Sequence, residues 1–198
     1  TSSANFEKTG HADINLGWKK WSLVSSFTHF NYDDLKMGDH GPDDYLSLFY
    51  VERIDNVDVM VENKNSLEQR PTGYSQNNFM QKVSFKPNDA WMFDYGFHYS
   101  ETSNYDRYDR LLRTKDRVPR SAEWYYGPQK WMMNNLTIKQ SAGNKIYDQL
   151  TIRLAYQLFE ESRNDRDFND DIRRIREEKV NAYSANFDFN KFIGSRHK

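Results

Sequence analysis

Cysteine is absent from the 198 residues, which excludes disulfides, thiolate zinc sites and cysteine nucleophiles. Long apolar runs are absent too. The longest is the stretch from Leu48 to Val51, far short of the roughly 18 residues a membrane-crossing helix needs. Charge of one sign is also lacking: 28 basic residues face 29 acidic ones, for a net charge of −1. That balance gives no general basic field for nucleic acid, and no nucleic-acid partner is expected. No cationic-then-apolar segment follows Thr1, so any signal peptide is expected to have been removed or to lie outside this stretch. Chemical signatures are equally scarce. There is no Gly-rich phosphate loop, no His-Glu-x-x-His pair and no Gly-x-Ser-x-Gly elbow, and no spacing argues for a serine triad. Neither an enzyme nor a cofactor is expected.

What the chain does hold is aromatic. Hydrophobic residues make up only 37% and mean hydropathy is −0.99, yet Phe, Trp and Tyr reach 16%. Disordered chains are poor in aromatics, so this chain is expected to order itself. The apolar residues recur with period two. From Trp91 to Tyr99 the odd positions are Trp91, Phe93, Tyr95, Phe97 and Tyr99, and the even ones Met92, Asp94, Gly96 and His98. Leu150, Ile152, Leu154, Tyr156 and Leu158 repeat the pattern, as do Tyr183, Ala185, Phe187 and Phe189. Leu136 with Ile138, Phe79 with Val83 and Phe85, and Trp21 with Leu23 and Phe27 complete it, with a first strand over His11 to Leu16. The pattern predicts seven strands and no helix.

Tight connections carry turn chemistry at Gly17 to Lys20, at Pro87-Asn88-Asp89 and at Ala142-Gly143-Asn144-Lys145. Long ones are expected from about Asn31 to Gly73, Asn104 to Lys130 and Glu160 to Glu178. Short and long alternate, so an up-and-down sheet gathers all the long loops at one end. Soluble strands average roughly 5–6 residues, whereas these run about 9–13, close to the roughly 9–11 of a tilted bilayer-spanning strand. Trp91, Tyr99, Trp131 and Tyr183 stand at strand ends as interfacial girdles do, and Lys82, Asp94, His98, Lys139 and Arg153 on the opposite faces suit a wet lumen. The expected fold is therefore all-β, an antiparallel up-and-down transmembrane β-barrel segment spanning residues 1–198 as a partial barrel domain. A soluble β-sandwich binding module, recognising carbohydrate for instance, and a passive outer-membrane channel are the alternatives. Bacterial single-chain barrels use an even number of strands, eight or more, so seven are expected to be part of a larger wall.

Two runs carry a family resemblance. Asn104-Tyr105-Asp106-Arg107-Tyr108-Asp109-Arg110-Leu111 and Ala122-Glu123-Trp124-Tyr125-Tyr126-Gly127-Pro128-Gln129-Lys130 resemble the middle barrel of TonB-dependent outer-membrane receptors. They are most similar to the Bacteroidetes-type branch that includes haem, siderophore and cobalamin receptors. Thr72 to Gln76, Phe159 to Arg163, Val180 to Phe189 and Phe27 to Gly38 fit the same region. The resemblance implies a closed barrel of about 22 strands around a plug, in the outer membrane of a Gram-negative cell. It also implies lipid and lipopolysaccharide as surroundings, a small-molecule or metal-chelate ligand, and energy from the TonB complex acting through the plug. No TonB box, plug or terminal aromatic strand is present in this sequence.

Candidate ligand-binding residues follow from the two runs: Tyr105, Arg107, Tyr108 and Arg110, with Trp124, Tyr125 and Tyr126. They suit an aromatic-cationic contact patch, or equally a loop whose geometry Asp106 and Asp109 fix. Asp33, Asp34, Asp39, Asp43 and Asp44 beside Gly38 and Gly41 offer hard oxygen ligands, with Asp39, Asp43 and Asp44 the weak candidates for calcium. The spacing matches no EF-hand, and a solvated acidic loop is the simpler reading. His29, His40 and His98 bring imidazoles near loop ends, the chemistry of haem ligation, but unligated barrel histidines are the default and the Tyr-Arg-Ala-Pro motif of some haem receptors is missing. The segment Arg163 to Glu178 mixes Arg163, Arg166, Arg173, Arg174 and Arg176 with many acids. It reads either as a receptor for anionic groups of ligand or lipopolysaccharide or as a solvated loop.

Overall fold

Every period-two segment becomes a strand of one antiparallel sheet in the computed structural model, which describes residues 5–194; the start at Thr1 lies outside the described residues. The strands are β1 (Lys8–Gly17), β2 (Trp21–Tyr32), β3 (Tyr74–Asn88), β4 (Trp91–Thr102), β5 (Ser121–Gln140), β6 (Gln149–Asp167) and β7 (Arg174–Asn190). Each pairs with its sequence neighbours in simple up-and-down order. A short piece, Tyr105–Asp106, adds to β5 above the end of β4.

Register carries the two-faced pattern across the sheet. One row runs Leu16, Leu23, Val83, Tyr95, Leu136, Leu154, Ala185 through all seven strands. Two residues nearer the short turns lies Trp21, Phe85, Phe93, Ile138, Ile152, Phe187. The band ends above the row Ala12, Phe27, Phe79, Tyr99, Met132, Leu158, where the next row is His29, Asn77, Glu101, Lys130, Glu160, Lys179. Ion pairs Lys130–Glu101 (3.3 Å) and Lys179–Glu160 (2.5 Å) line that upper border. From Trp91 to Tyr99 the band reaches about 26 Å along the strand at about 3.3 Å per residue. The other face is more polar, as in the row Ser22, Ser84, Asp94, Thr137, Arg153, Asn186, where Ser84 donates to Asp94 and Arg153 pairs with Asp188. It also carries Met80, Met133 and Phe159, and Trp131, expected among the girdle aromatics of the apolar face, stands on it beside His98.

Nothing covers the band. Among the described residues no aliphatic or aromatic side chain of the seven-stranded sheet is buried. The buried side chains are polar ones, Ser47, Asp58, Asn63, Ser121, Thr151, Asn164, Asp165 and Arg166. Phe187 is 56% exposed and Tyr183 78%. Edge strands β1 and β7 each keep one row of backbone groups unpaired within the sheet. The all-β antiparallel sheet is thus as the pattern predicts, without a closed barrel.

Four expectations are corrected. Residues 160–178 do not form a long loop: β6 continues to Asp167 and β7 begins at Arg174. The period-two signal vanishes there because both faces are polar, and cross-strand charge holds the ladder instead, through Arg163–Glu178 (3.0 Å) and Arg174–Asp165 (2.5 Å). The expected loop from Asn104 likewise ends early, with β5 starting at Ser121. The connection over residues 33–73 contains its own hairpin, Phe49–Ile54 on Val57–Glu62, turned at Asp55 and Asn56 with φ of 48° and 66°. Two successive positive φ values make the type I′ geometry that hairpins favour. Finally, a single-turn helix, Tyr108–Leu111, and a 3-10 turn, Asp43–Tyr45, stand where no helix was expected.

Charge anchors that hairpin. Arg166, 3% exposed, donates from both terminal nitrogens to Asp58 at 2.7 and 2.8 Å. Its Nε donates to Glu123 at 2.8 Å, and the backbone N–H of Asn169 donates to Asp58 at 2.8 Å. Arg53 adds contacts to Asp58 and Asp171, and Arg173 to Glu123. The guanidinium of Arg166 holds the Asp58 carboxyl below the ordinary aspartate range. This contribution is therefore complete above that range and lost as pH falls through the depressed value. Asp58→Asn is expected to weaken hairpin docking by about 1–3 kcal/mol, because it removes the charge-assisted bidentate pair while Arg166 keeps Glu123, whereas Asp58→Leu with Arg166→Met should cost less. The check is protease cleavage within residues 49–62; equal cleavage in both variants contradicts the anchor.

Candidate functional site

The bulge in β5 between Gly127 and Lys130 re-aims the strand above the band, so that Trp124 and Tyr126 come to the polar face. Their register partners are Asp165 and Arg163, and Asp165 in turn opposes Arg174. Tyr125, between them, projects to the other face. All three residues lie within β5 rather than in a loop.

Arg107 is the centre of the site. Its Nε and Nη2 donate to the two carboxylate oxygens of Asp109 at 2.8 and 3.1 Å, and its Nη1 to the Tyr126 hydroxyl at 3.0 Å. The guanidinium lies 5.5 Å from the Trp124 ring centroid and 5.6 Å from that of Tyr126. Arg110 covers Trp124 at 5.6 Å and Arg163 covers Tyr126 at 5.9 Å. Cation–π contacts of this kind are worth about 0.5–2 kcal/mol depending on desolvation. Trp124 meets Tyr126 edge-on at 5.3 Å. Tyr105 sits 5.4 Å from Tyr126, pinned there by the short strand it shares with Asp106.

Five of the seven residues singled out from sequence therefore converge: Tyr105, Arg107, Arg110, Trp124 and Tyr126. Tyr108 turns away, donating its hydroxyl to the Tyr45 carbonyl at 2.6 Å, and lines a small cavity with Leu111, Leu112 and Phe49. Tyr125 is separated by facing. Two residues not singled out extend the aromatic line: Tyr74 lies 6.0 Å from Tyr105, and Tyr32 lies 4.9 Å from Tyr74. Only cross-strand register unites them, a relation no local motif encodes.

The acidic loop does not assemble a metal centre. Asp34 accepts the backbone N–H groups of Thr72 and Gly73 at 2.6 and 2.9 Å, clamping the base of the loop. Asp39, Asp43 and Asp44 are exposed, and among the described residues no three His, Asp or Glu side chains converge to hold a metal ion. His98 lies on the polar face, His29 on the band's face bonded to Asn77 (2.8 Å), and His40 in the loop, so the three do not meet.

Comparison with known proteins identifies no family model, no curated relative and no solved structure that matches this chain.

One acid of the site is unlike the rest. Burial pushes the Asp106 carboxyl up to about 6, helped by the nearby carboxylates of Asp34 and Glu123. Folding favours the neutral acid, so attachment of Tyr105–Asp106 to β5 should be strongest at low pH. It should weaken as pH rises from the ordinary aspartate range through about 6, then stay constant. Hydrogen exchange at the Arg107 N–H, which donates to the Trp124 carbonyl at 2.8 Å, reads this out once intrinsic rates are removed. Asp106→Asn should abolish the pH dependence; an unchanged profile contradicts the assignment.

Proposed function

We propose that this chain is part of the wall of an outer-membrane receptor that takes up a scarce, large ligand of the iron-siderophore, haem or cobalamin class. The energy would come from a TonB complex acting through a plug outside this stretch. One observation carries the reading: a register-matched apolar band on one face, uncovered by protein, backed by a polar face and topped by ordered loops. A hydrocarbon phase is the cover that needs no second protein layer. Side chains of this size left in water would each forfeit roughly 1.5–3 kcal/mol. The resemblance of the runs around Arg107 and Trp124 to TonB-dependent receptors supplies the ligand class, and the aromatic-cationic cluster above the band is the surface offered to it.

One row favours the second reading, a soluble β-sandwich. Ser25, Gln81 and Asn134 lie inside the band, with Ser25 donating to Gln81 and Tyr95 to Asn134, each at 2.6 Å. Polar groups satisfied in this way suit a protein cover as well as a lipid one. Full-length protein that is monodisperse without detergent would decide for the sandwich. Under the receptor reading, Phe97→Arg should cost about 2–4 kcal/mol near the bilayer midplane and depress barrel assembly, while His98→Arg on the wet face is tolerated. Heat-modifiable folding in vesicles measures both, and equal yields would remove the inside-outside assignment.

A further inference from the structure

The arginines of the site divide into two sets. Those between Arg163 and Glu178 are all neutralised within the wall. Arg163 pairs with Glu161 and Glu178, Arg166 with Asp58 and Glu123, and Arg173 with Glu123. Arg174 pairs with Asp165 and Asp167, and Arg176 with Asp165. Each of these has a carboxylate partner, although the Nε of Arg163 is shielded without a hydrogen-bond partner.

The second set belongs to the loop before β5. Arg113 and Arg120 make no side-chain hydrogen bond or ion pair among the described residues, and both are exposed. Arg110 reaches only to 3.7 Å from an oxygen of Asp109, and its Nε is shielded from water without a hydrogen-bond partner. These three side chains surround a cavity of about 160 Å³ whose floor is Trp124, Asp165, Asp167 and Arg174. The two floor aspartates are already satisfied by Arg174, so the opening presents a surplus of positive charge. The mounting is rigid. The Arg120 N–H donates to the Arg113 carbonyl at 2.8 Å, closing a small hairpin, Thr114–Lys115 on Val118–Pro119, turned at Asp116 and Arg117 with φ of 54° and 65°. Arg113 and Arg120 thus leave the two ends of one hairpin toward the same cavity.

We infer that Arg110, Arg113 and Arg120, over the Trp124 floor, form a site for an oxyanion group, a carboxylate cluster or phosphate, carried by the free ligand. Guanidinium forks match both groups in bidentate geometry. At about 160 Å³ the cavity is well below the roughly 300–1,000 Å³ of a whole-ligand pocket, so it takes an anionic head group and leaves the body of the ligand to the aromatic line beyond. Trp124, Asp165 and Arg174 belong to the polar face by register, opposite the band, so the headgroup phosphates of lipopolysaccharide packed around the band lie on the wrong side of the wall. This inference rests on the receptor reading for its ligand, and the two fail separately.

The test is isothermal titration of the full-length protein in detergent with citrate and with pyrophosphate, at low and high salt, and separately with lipopolysaccharide micelles. At least one of the two small anions should bind, more weakly as salt rises. Arg113→Gln with Arg120→Gln should weaken it about 100-fold, and the charge-keeping Arg113→Lys with Arg120→Lys about tenfold. Lys20→Gln with Lys145→Gln, an equal charge change at the short-turn end, should leave it unchanged. If the Gln pair fails to fold, judged by heat-modifiability, the Lys pair decides. No binding of either anion, equal affinity in the Lys pair, or binding of lipopolysaccharide alone overturns the site. Such a failure in a protein that still needs detergent leaves the receptor reading standing. Anion binding by a protein soluble without detergent would do the reverse.

Discussion

A sheet that buries no apolar side chain has to be completed by something else. Domains are stable because each sheet face that carries apolar residues is covered by another layer, and here the covering layer is missing while the residues for it are arrayed in register over seven strands. Everything else in the structure is arranged around that fact. The polar face needs no cover, since its Ser84–Asp94 and Arg153–Asp188 contacts satisfy themselves in a wet setting. The charged row His29 to Lys179 ends the band abruptly, as a boundary between two media would.

Above that boundary the same strands obey different physics. β6 and β7 run on for several mostly charged residues beside the aromatic end of β5, held by ion pairs and by the buried Asp58–Arg166 contact that ties a hairpin from a distant part of the chain to the strand tips. Breaking such a pair costs far more than replacing it whole, so the contact fixes where the hairpin sits more than it adds net stability. The result is a braced sheet end on which Arg107, Trp124 and Tyr126 hold one another in place. Side chains ordered in advance in this way lose less freedom if a ligand is bound.

The sequence made the band legible because its signal is local: Phe93 and Asp94 disclose their opposite faces from their neighbours alone. The polar strand extensions were not legible, since Arg163 and Glu178 alternate charge with charge, and only the register explains why they pair. The hairpin at Asp55-Asn56 left a faint trace in the alternation Val57, Val59, Val61, overshadowed by the acidic residues around it. Five of seven candidate site residues converge because they sit in two short runs that one bulge brings together. Tyr32 with Tyr74, and the pairing of Arg166 with Asp58 and of Arg173 with Glu123, depend on contacts tens of residues apart.

The most direct measurement is a cysteine scan of β4 in the protein reconstituted with lipid bilayers, made simple because this stretch contains no cysteine of its own. Single cysteines from Met92 to His98 would be labelled with a membrane-impermeant aqueous maleimide and, in parallel, with a lipid-confined spin label or quencher. A lipid-facing band predicts strict alternation: Phe93, Tyr95 and Phe97 reached from the lipid, Met92, Asp94 and His98 from water. Aqueous labelling of Phe97→Cys and His98→Cys to the same extent, with no lipid contact at either, would contradict it.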